Sequence, residues 1–213
     1  GGSNLQVVPG QVVRAQQMPD GSFTVIAQPL LATGGSPFSG YTWRLVSGSS
    51  FPPGTMVNFL TGVFSGSGNG LTAGRTYEFD MAVGDGASIA TGTVTLEVDP
   101  VPSNGIVPIP VFQQPMGVPV INLPDAQANR PYGASLHVLG GVPPYSWFED
   151  ETYDGRGAFG LSGLKIDMAR GIVRGTVMNS AAGKTLRFRI VVRDSTGEIA
   201  LTDGGPIYEI VVQ

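Results

Sequence analysis

The amino-acid sequence predicts an all-β chain built as two β-sandwich modules in tandem. Three observations carry that expectation: a composition rich in turn-formers, short segments whose apolar residues fall at every second position, and a set of sequence blocks that occurs twice in the same order.

The chain has 213 residues, enough for two domains of ordinary size. Apolar residues make up 41%, sufficient for a core, while charged residues make up only 13% where roughly 25% is usual. Gly, Ser, Thr, Asn and Gln must therefore supply solubility. With 32 Gly and 17 Pro and no long segment of helical period, many short strands joined by turns are expected. A net charge of −4 argues against nucleic acid or an anionic membrane as partner. There is no Cys, which excludes disulfides, thiolate metal sites and thiol nucleophiles. The longest apolar runs, such as 106–112, are short and broken by Pro, so no membrane insertion by this segment is expected.

Alternation marks the strands. In Tyr77-Glu78-Phe79-Asp80-Met81-Ala82-Val83 and in Leu186-Arg187-Phe188-Arg189-Ile190-Val191-Val192 apolar residues occupy every second position, as one buried face of an antiparallel strand requires.

These two segments are copies. At an offset of 109, Thr61-Gly62-Val63-Phe64-Ser65-Gly66 aligns with Arg170-Gly171-Ile172-Val173-Arg174-Gly175, Ala73 to Phe79 with Ala182 to Phe188, and Asp85 with Asp194. Upstream, Gly34-Gly35-Ser36-Pro37 precedes Tyr41-Thr42-Trp43, and Gly140-Gly141-Val142-Pro143-Pro144 precedes Tyr145-Ser146-Trp147. The Gly-Gly-x-Pro turn reverses the chain, and Tyr-x-Trp then puts two aromatics on one strand face. That places Trp43 and Trp147 in the cores rather than on a sugar-binding surface.

The blocks resemble the He-PIG immunoglobulin-like domains of bacterial surface proteins, related in fold to cadherin-like modules. The family pattern runs Leu-Pro, Gly-Gly-x-Pro-Pro-Tyr-x-Trp, Leu-Pro-x-Gly-Leu, Thr-Gly-x-Ile-x-Gly and a closing strand that ends in Asp. The second copy supplies Leu123-Pro124-Asp125, Gly140 to Trp147 and Ala182 to Asp194; the first supplies Met18-Pro19-Asp20, Phe51-Pro52-Pro53-Gly54 and the blocks above. The first copy departs by a two-residue insertion at Pro37-Phe38-Ser39-Gly40. The second departs by the polar stretch Phe148 to Gly160 and a long last hairpin from Glu198 to Tyr208. The resemblance implies immunoglobulin-like Greek-key sandwiches in an exported, extracellular cell-surface protein, acting as structural or adhesin modules. Partners would be other protein modules or cell-surface glycans.

Seven prolines between 100 and 124 favour extended backbone, so the modules are expected at 5–99 and 117–213, joined by a semi-rigid Pro-rich linker at 100–116. The first 99 residues hold 3 Arg against 6 acids, net −3, and the rest 9 Lys plus Arg against 10 acids, net −1. Equivalent faces differ in sign: Glu78 and Asp80 align with Arg187 and Arg189, and Gly84 with Arg193. These five charged residues are the interaction candidates, with Arg174 as a further member of the basic face.

No catalytic set emerges. His137 is the lone histidine and lies in an apolar strand, where a structural role is expected. Gly66-Ser67-Gly68-Asn69-Gly70 leads into a turn and not into the helix that a phosphate loop needs. Glu149, Asp150, Glu151 and Asp154 crowd one loop and cannot face each other across a glycosidase cleft. Calcium is the one candidate cofactor, on Asp99, Glu149, Asp150, Glu151 and Asp154, with Asp85 and Asp194 as further acids, although no spaced Asp-x-Asp-x-Asp-Gly loop occurs.

The expected function is a non-catalytic structural or adhesive segment, a rigid spacer of modules in series. Two rivals stand beside it. One is a carbohydrate- or protein-binding module that uses the 148–160 loop or the Arg face. The other is a filament subunit in which opposite faces meet, or in which Leu5 to Arg14 donates a strand to a neighbour.

Overall fold

The computed structural model describes residues 4–153, 159–160, 162–202 and 204–213. The chain is all-β. Its first half contains β1 (Gln6–Val7), β2 (Val12–Gln17), β3 (Phe23–Val25), β4 (Gln28–Pro29), β5 (Ala32–Thr33), β6 (Thr42–Leu45), β7 (Thr55–Val57), β8 (Val63–Gly66), β9 (Thr76–Gly84) and β10 (Ile89–Asp99). One sheet has the order β3-β2-β10-β9-β6, and β4-β8-β7 faces it. The alternating segment 77–83 lies in β9 as expected, with Phe79, Met81 and Val83 buried and Glu78 and Asp80 exposed. Phe64 of β8 stacks on Phe79 of β9 with ring centroids 5.8 Å apart, which ties the two sheets across the core. Trp43, 3% exposed, fills the same core.

The second half contains β11 (Val120–Asn122), β12 (Pro131–Ser135), β13 (Ser146–Glu149), β14 (Leu164–Asp167), β15 (Ile172–Thr176), a single 3-10 turn at Asn179–Ala181, β16 (Thr185–Phe188), β17 (Ile190–Arg193) and β18 (Ile207–Val211). Its plan repeats the first: β12-β15-β14 corresponds to β4-β8-β7, and β11 runs parallel to β18 as β2 does to β10. Trp147 is 1% exposed, and Phe188 stacks on Tyr208 with ring centroids 5.3 Å apart.

Two expectations need correction here. The segment 186–192 is not one strand. It breaks at Arg189, so that β16 pairs with β18 while β17 pairs with β13. The cause is a strand segment from upstream: Gln114 is buried, its side-chain Nε2 donates to Ile190 O at 2.7 Å, and its backbone N–H donates to Leu201 O at 2.9 Å. Gln113 bridges Leu139 and Leu201 at the same place. Residues 112–114, read from the sequence as linker, are thus bonded to the second sandwich, while 100–110 forms no strand pairs.

The second correction concerns the arrangement of the halves. In place of units strung in series, one five-stranded sheet of order β1-β5-β12-β15-β14 runs through both. Gly34 N–H donates to Gly133 O at 2.7 Å, Thr33 pairs with Ala134, Ala32 N–H donates to Ser135 Oγ at 3.0 Å, and Gly140 N–H donates to Ala27 O at 2.8 Å. An offset of 106 carries Gly34 onto Gly140 and Ala27 onto Gly133. The outer two hydrogen bonds are therefore the same bond made once by each half. A pseudo-two-fold axis passes between residues 27–34 and 133–140. Side chains obey it as well: Val63 packs into the core of the second half, and its aligned partner Ile172 packs into the core of the first.

Candidate functional site

The polar groups aligned by the repeat serve its turns. Asp85 Oδ2 accepts from Ser36 N–H at 2.8 Å, and its Oδ1 from Ala87 and Ser88 N–H at 2.9 and 2.7 Å. Asp194 repeats this, with Oδ2 accepting from Val142 N–H at 3.0 Å and Oδ1 from the N–H groups of Thr196 and Glu198 and the Thr196 hydroxyl. Burial opposes ionisation of both carboxyls, but these donors outweigh it and hold each below the usual carboxylate range. Each Asp thereby staples the Gly-Gly turn to the tip of the long hairpin. The Tyr41 hydroxyl donates to Gly34 O at 2.7 Å and that of Tyr145 to Gly140 O at 2.6 Å, which closes the same turns from the other side. Burial pushes both phenols well above their ordinary range.

The calcium candidates are not gathered. Asp99 stands at the end of β10 beside Arg14, 3.4 Å from its Nη1. Glu149 lies in β13 opposite Ile190. Asp150 Oδ1 accepts from Thr152 N–H and hydroxyl at 3.0 and 2.7 Å, and Glu151 is exposed in the same turn. Asp154 lies outside the described residues. Among the described residues no cluster of three or more acidic or histidine side chains is placed to hold a metal ion.

The charged faces are partly resolved within each half. Asp80 accepts from the Thr93 hydroxyl at 2.6 Å, and Glu78 sits opposite Thr95. Arg187 Nε is 2.5 Å from Glu209 Oε1 on the neighbouring strand. The Arg189 guanidinium lies over the Tyr153 ring, 4.9 Å from its centroid, and its carbonyl accepts from Asp150 N–H. Arg193 is exposed on β17. Because the strand breaks at Arg189, Arg187 and Arg193 belong to different sheets, and the three arginines do not line one unbroken strand.

Arg174 is not on that face at all. Its Nε donates to Asp167 Oδ2 at 3.0 Å, while Arg170 Nη1 donates to the same oxygen at 3.2 Å. Asp167 Oδ1 accepts from the N–H groups of Ala169 and Arg170, both at 3.1 Å. Burial works against this carboxylate, but Arg174, the Ala169 N–H and the two positive charges together hold its pKa below the usual range. The Arg170 stem crosses to the first half and lies against Gly40. This cluster at the junction escaped sequence reasoning. The available signal was the offset of 109, which places Asp167 on Asn58; Asn58 Oδ1 caps Leu60 and Thr61 in the same way, without the arginines.

At one end of the junction a groove of about 490 Å³ runs between the halves, with Gly35, Asp85 and Ser88 on one wall and Asp125, Arg130 and Tyr132 on the other. The Tyr132 hydroxyl donates to Pro124 O at 2.8 Å, and Gln213 Nε2 donates to Asp125 Oδ2 at 2.8 Å. No helix among the described residues is long and apolar enough to cross a membrane.

No known protein family matches the chain, and no curated protein matches it. Among solved structures it is similar to the endo-fucoidan hydrolase MfFcnA4 of glycoside hydrolase family 107, at 18% identity and a TM-score of 0.35, over 96% of this chain and 28% of that one. It is also similar to Drosophila N-cadherin EC1-3, at 16% identity and a TM-score of 0.30 over 96% of this chain and 63% of that one. A third is protocadherin gamma B7 extracellular cadherin domains 1-4, at 14% and 0.31 over 99% and 51%. The chain spans less than two thirds of each of these proteins, and likenesses this distant carry neither activity nor partner across.

Proposed function

We propose that the chain is a non-catalytic structural and interaction segment of an exported cell-surface protein, of the He-PIG type that its repeated blocks resemble. The observation that carries this reading is the junction: a continuous sheet, reciprocal core residues and an Asp-Arg cluster around the buried Asp167 make the two halves one block. Among the described residues the buried carboxylates, Asp85, Asp167 and Asp194, and the Tyr41 and Tyr145 hydroxyls are bonded to the chain's own turns or arginines. Such a block transmits position and load and offers an outer surface for contacts. The spacer built from it is short and thick, not a string of hinged beads.

Two measurements test the proposal. Small-angle scattering should give a radius of gyration near that of one compact globule, about 17 Å for this length, and a clearly larger value would mean halves held apart. Screening the intact chain on glycan arrays should give no saturable binding. A glycan bound by the 148–160 loop or by Arg193, and lost in Arg193→Ala, would make it a carbohydrate-binding module instead.

A further inference from the structure

We infer that the junction between the halves also forms between chains, so that a second copy of this chain is its partner. The first half of one chain closes on the second half of another and the reverse, giving a closed dimer in which every contact of the monomer is kept.

Reciprocity is the first ground. The bonds Gly34 to Gly133 and Gly140 to Ala27 are pseudo-two-fold mates, and Val63 and Ile172 exchange cores. None of these contacts depends on which chain supplies the partner half.

The connection between the halves is the second ground. Residues 100–110 form no strand pairs, and Ile106 and Ile109 are 71% and 86% exposed. The nearest anchors hold this stretch to one half at each end: Val101 N–H donates to Gln17 Oε1 in the first, and Gln113 bridges Leu139 in the second. The connection thus adds nothing that prefers the intrachain pairing except proximity. Proximity through a short linker is worth an effective concentration on the order of millimolar. At chain concentrations in that range the exchange competes with the intrachain pairing and costs no contact within either half.

The chain has no Cys, so a disulfide can report the pairing. Thr33 and Ala134 face each other in the antiparallel ladder between the Gly34 and Ala32 bonds, the closely spaced kind of pair that a disulfide can span. Thr33→Cys and Ala134→Cys placed in one chain should give an intrachain bond, which shows that the trap works. The two single variants are then mixed, refolded together from urea and oxidised at concentrations from about 10 µM to 1 mM. A covalent dimer linked 33 to 134 is expected, with a fraction that rises roughly in proportion to concentration. Sedimentation of the unsubstituted chain over the same range should show dimer at the upper end. An intrachain disulfide with no 33-to-134 dimer, or with only random 33-to-33 and 134-to-134 products, overturns the inference. Failure of the intrachain bond overturns it too, since the register it rests on would be wrong.

Discussion

His137 stands where Leu31 stands in the other half, next to the pseudo-two-fold axis. Its backbone N–H reaches the Tyr208 hydroxyl at 3.5 Å, and burial pushes that phenol up to about 12. Burial also holds the imidazole below its ordinary value of 6.5. A folded-state pKa below the unfolded one means that the unfolded chain binds the proton more readily. The contribution is therefore intact above pH 6.5 and is lost as pH falls from there toward the folded-state pKa. Urea midpoints should drop between pH 7 and pH 5, and His137→Leu, which restores the residue of the other half, should flatten that slope. An unchanged slope in the variant would place the titration elsewhere.

Among the elements, the turn before β8 and β15 shows why the repeat keeps glycine. Gly62 and Gly171 lie at φ +71° and +66°, and a Cβ on either would run into Trp43 or Trp147. Gly74 has a similar φ of +78° but open space around it. Gly74→Ala should cost about 1–2 kcal/mol, the left-handed penalty alone, whereas Gly171→Ala should cost more, because the indole of a packed core must also move. Equal losses in chemical denaturation would contradict the close approach. These Gly and Trp positions were legible in the sequence, because turn chemistry and the period of a strand act over a few residues. The break at Arg189 was not. The alternation from Leu186 to Val192 is intact, and what interrupts it is Gln114, 76 positions away. The segments Met18-Pro19-Asp20 and Leu123-Pro124-Asp125 take different local roles: the first is a turn closed by Gly21 N–H to Met18 O, while the second lies just ahead of the Ala126 bridge to Val212.

For the whole molecule, the two cores are not independent. Ile172 belongs to the second half by sequence and to the core of the first by packing. Ile172→Ala should cost about 2–5 kcal/mol through the cavity it leaves and should lower both halves together. Single-tryptophan chains, Trp43→Phe and Trp147→Phe, read each core separately; their fluorescence transitions should coincide in denaturant, and two separated transitions would show halves that melt alone. The candidate charged residues were legible as positions but not as surroundings. Arg174 reads as one more exposed strand cation until its side chain and that of Arg170 are seen folded over Asp167. Likewise the Pro-rich stretch announces a spacer, yet nothing local in 27–34 or 133–140 says that these strands pair with each other.

The same pseudo-symmetry bears on chain order. Asp99 at the end of β10 corresponds to Gln213, and Val111 corresponds to Asn4, because Asn4 lies against Gly34 as Val111 lies against Gly140. Residues 100–110 join one such pair of points. The other pair, Gln213 and Asn4, stands at the groove that holds Asp125. The pseudo-symmetry makes the two pairs of points equivalent, and 100–110 spans one of them. Because the junction contacts are reciprocal, their pattern is the same whichever half is taken first.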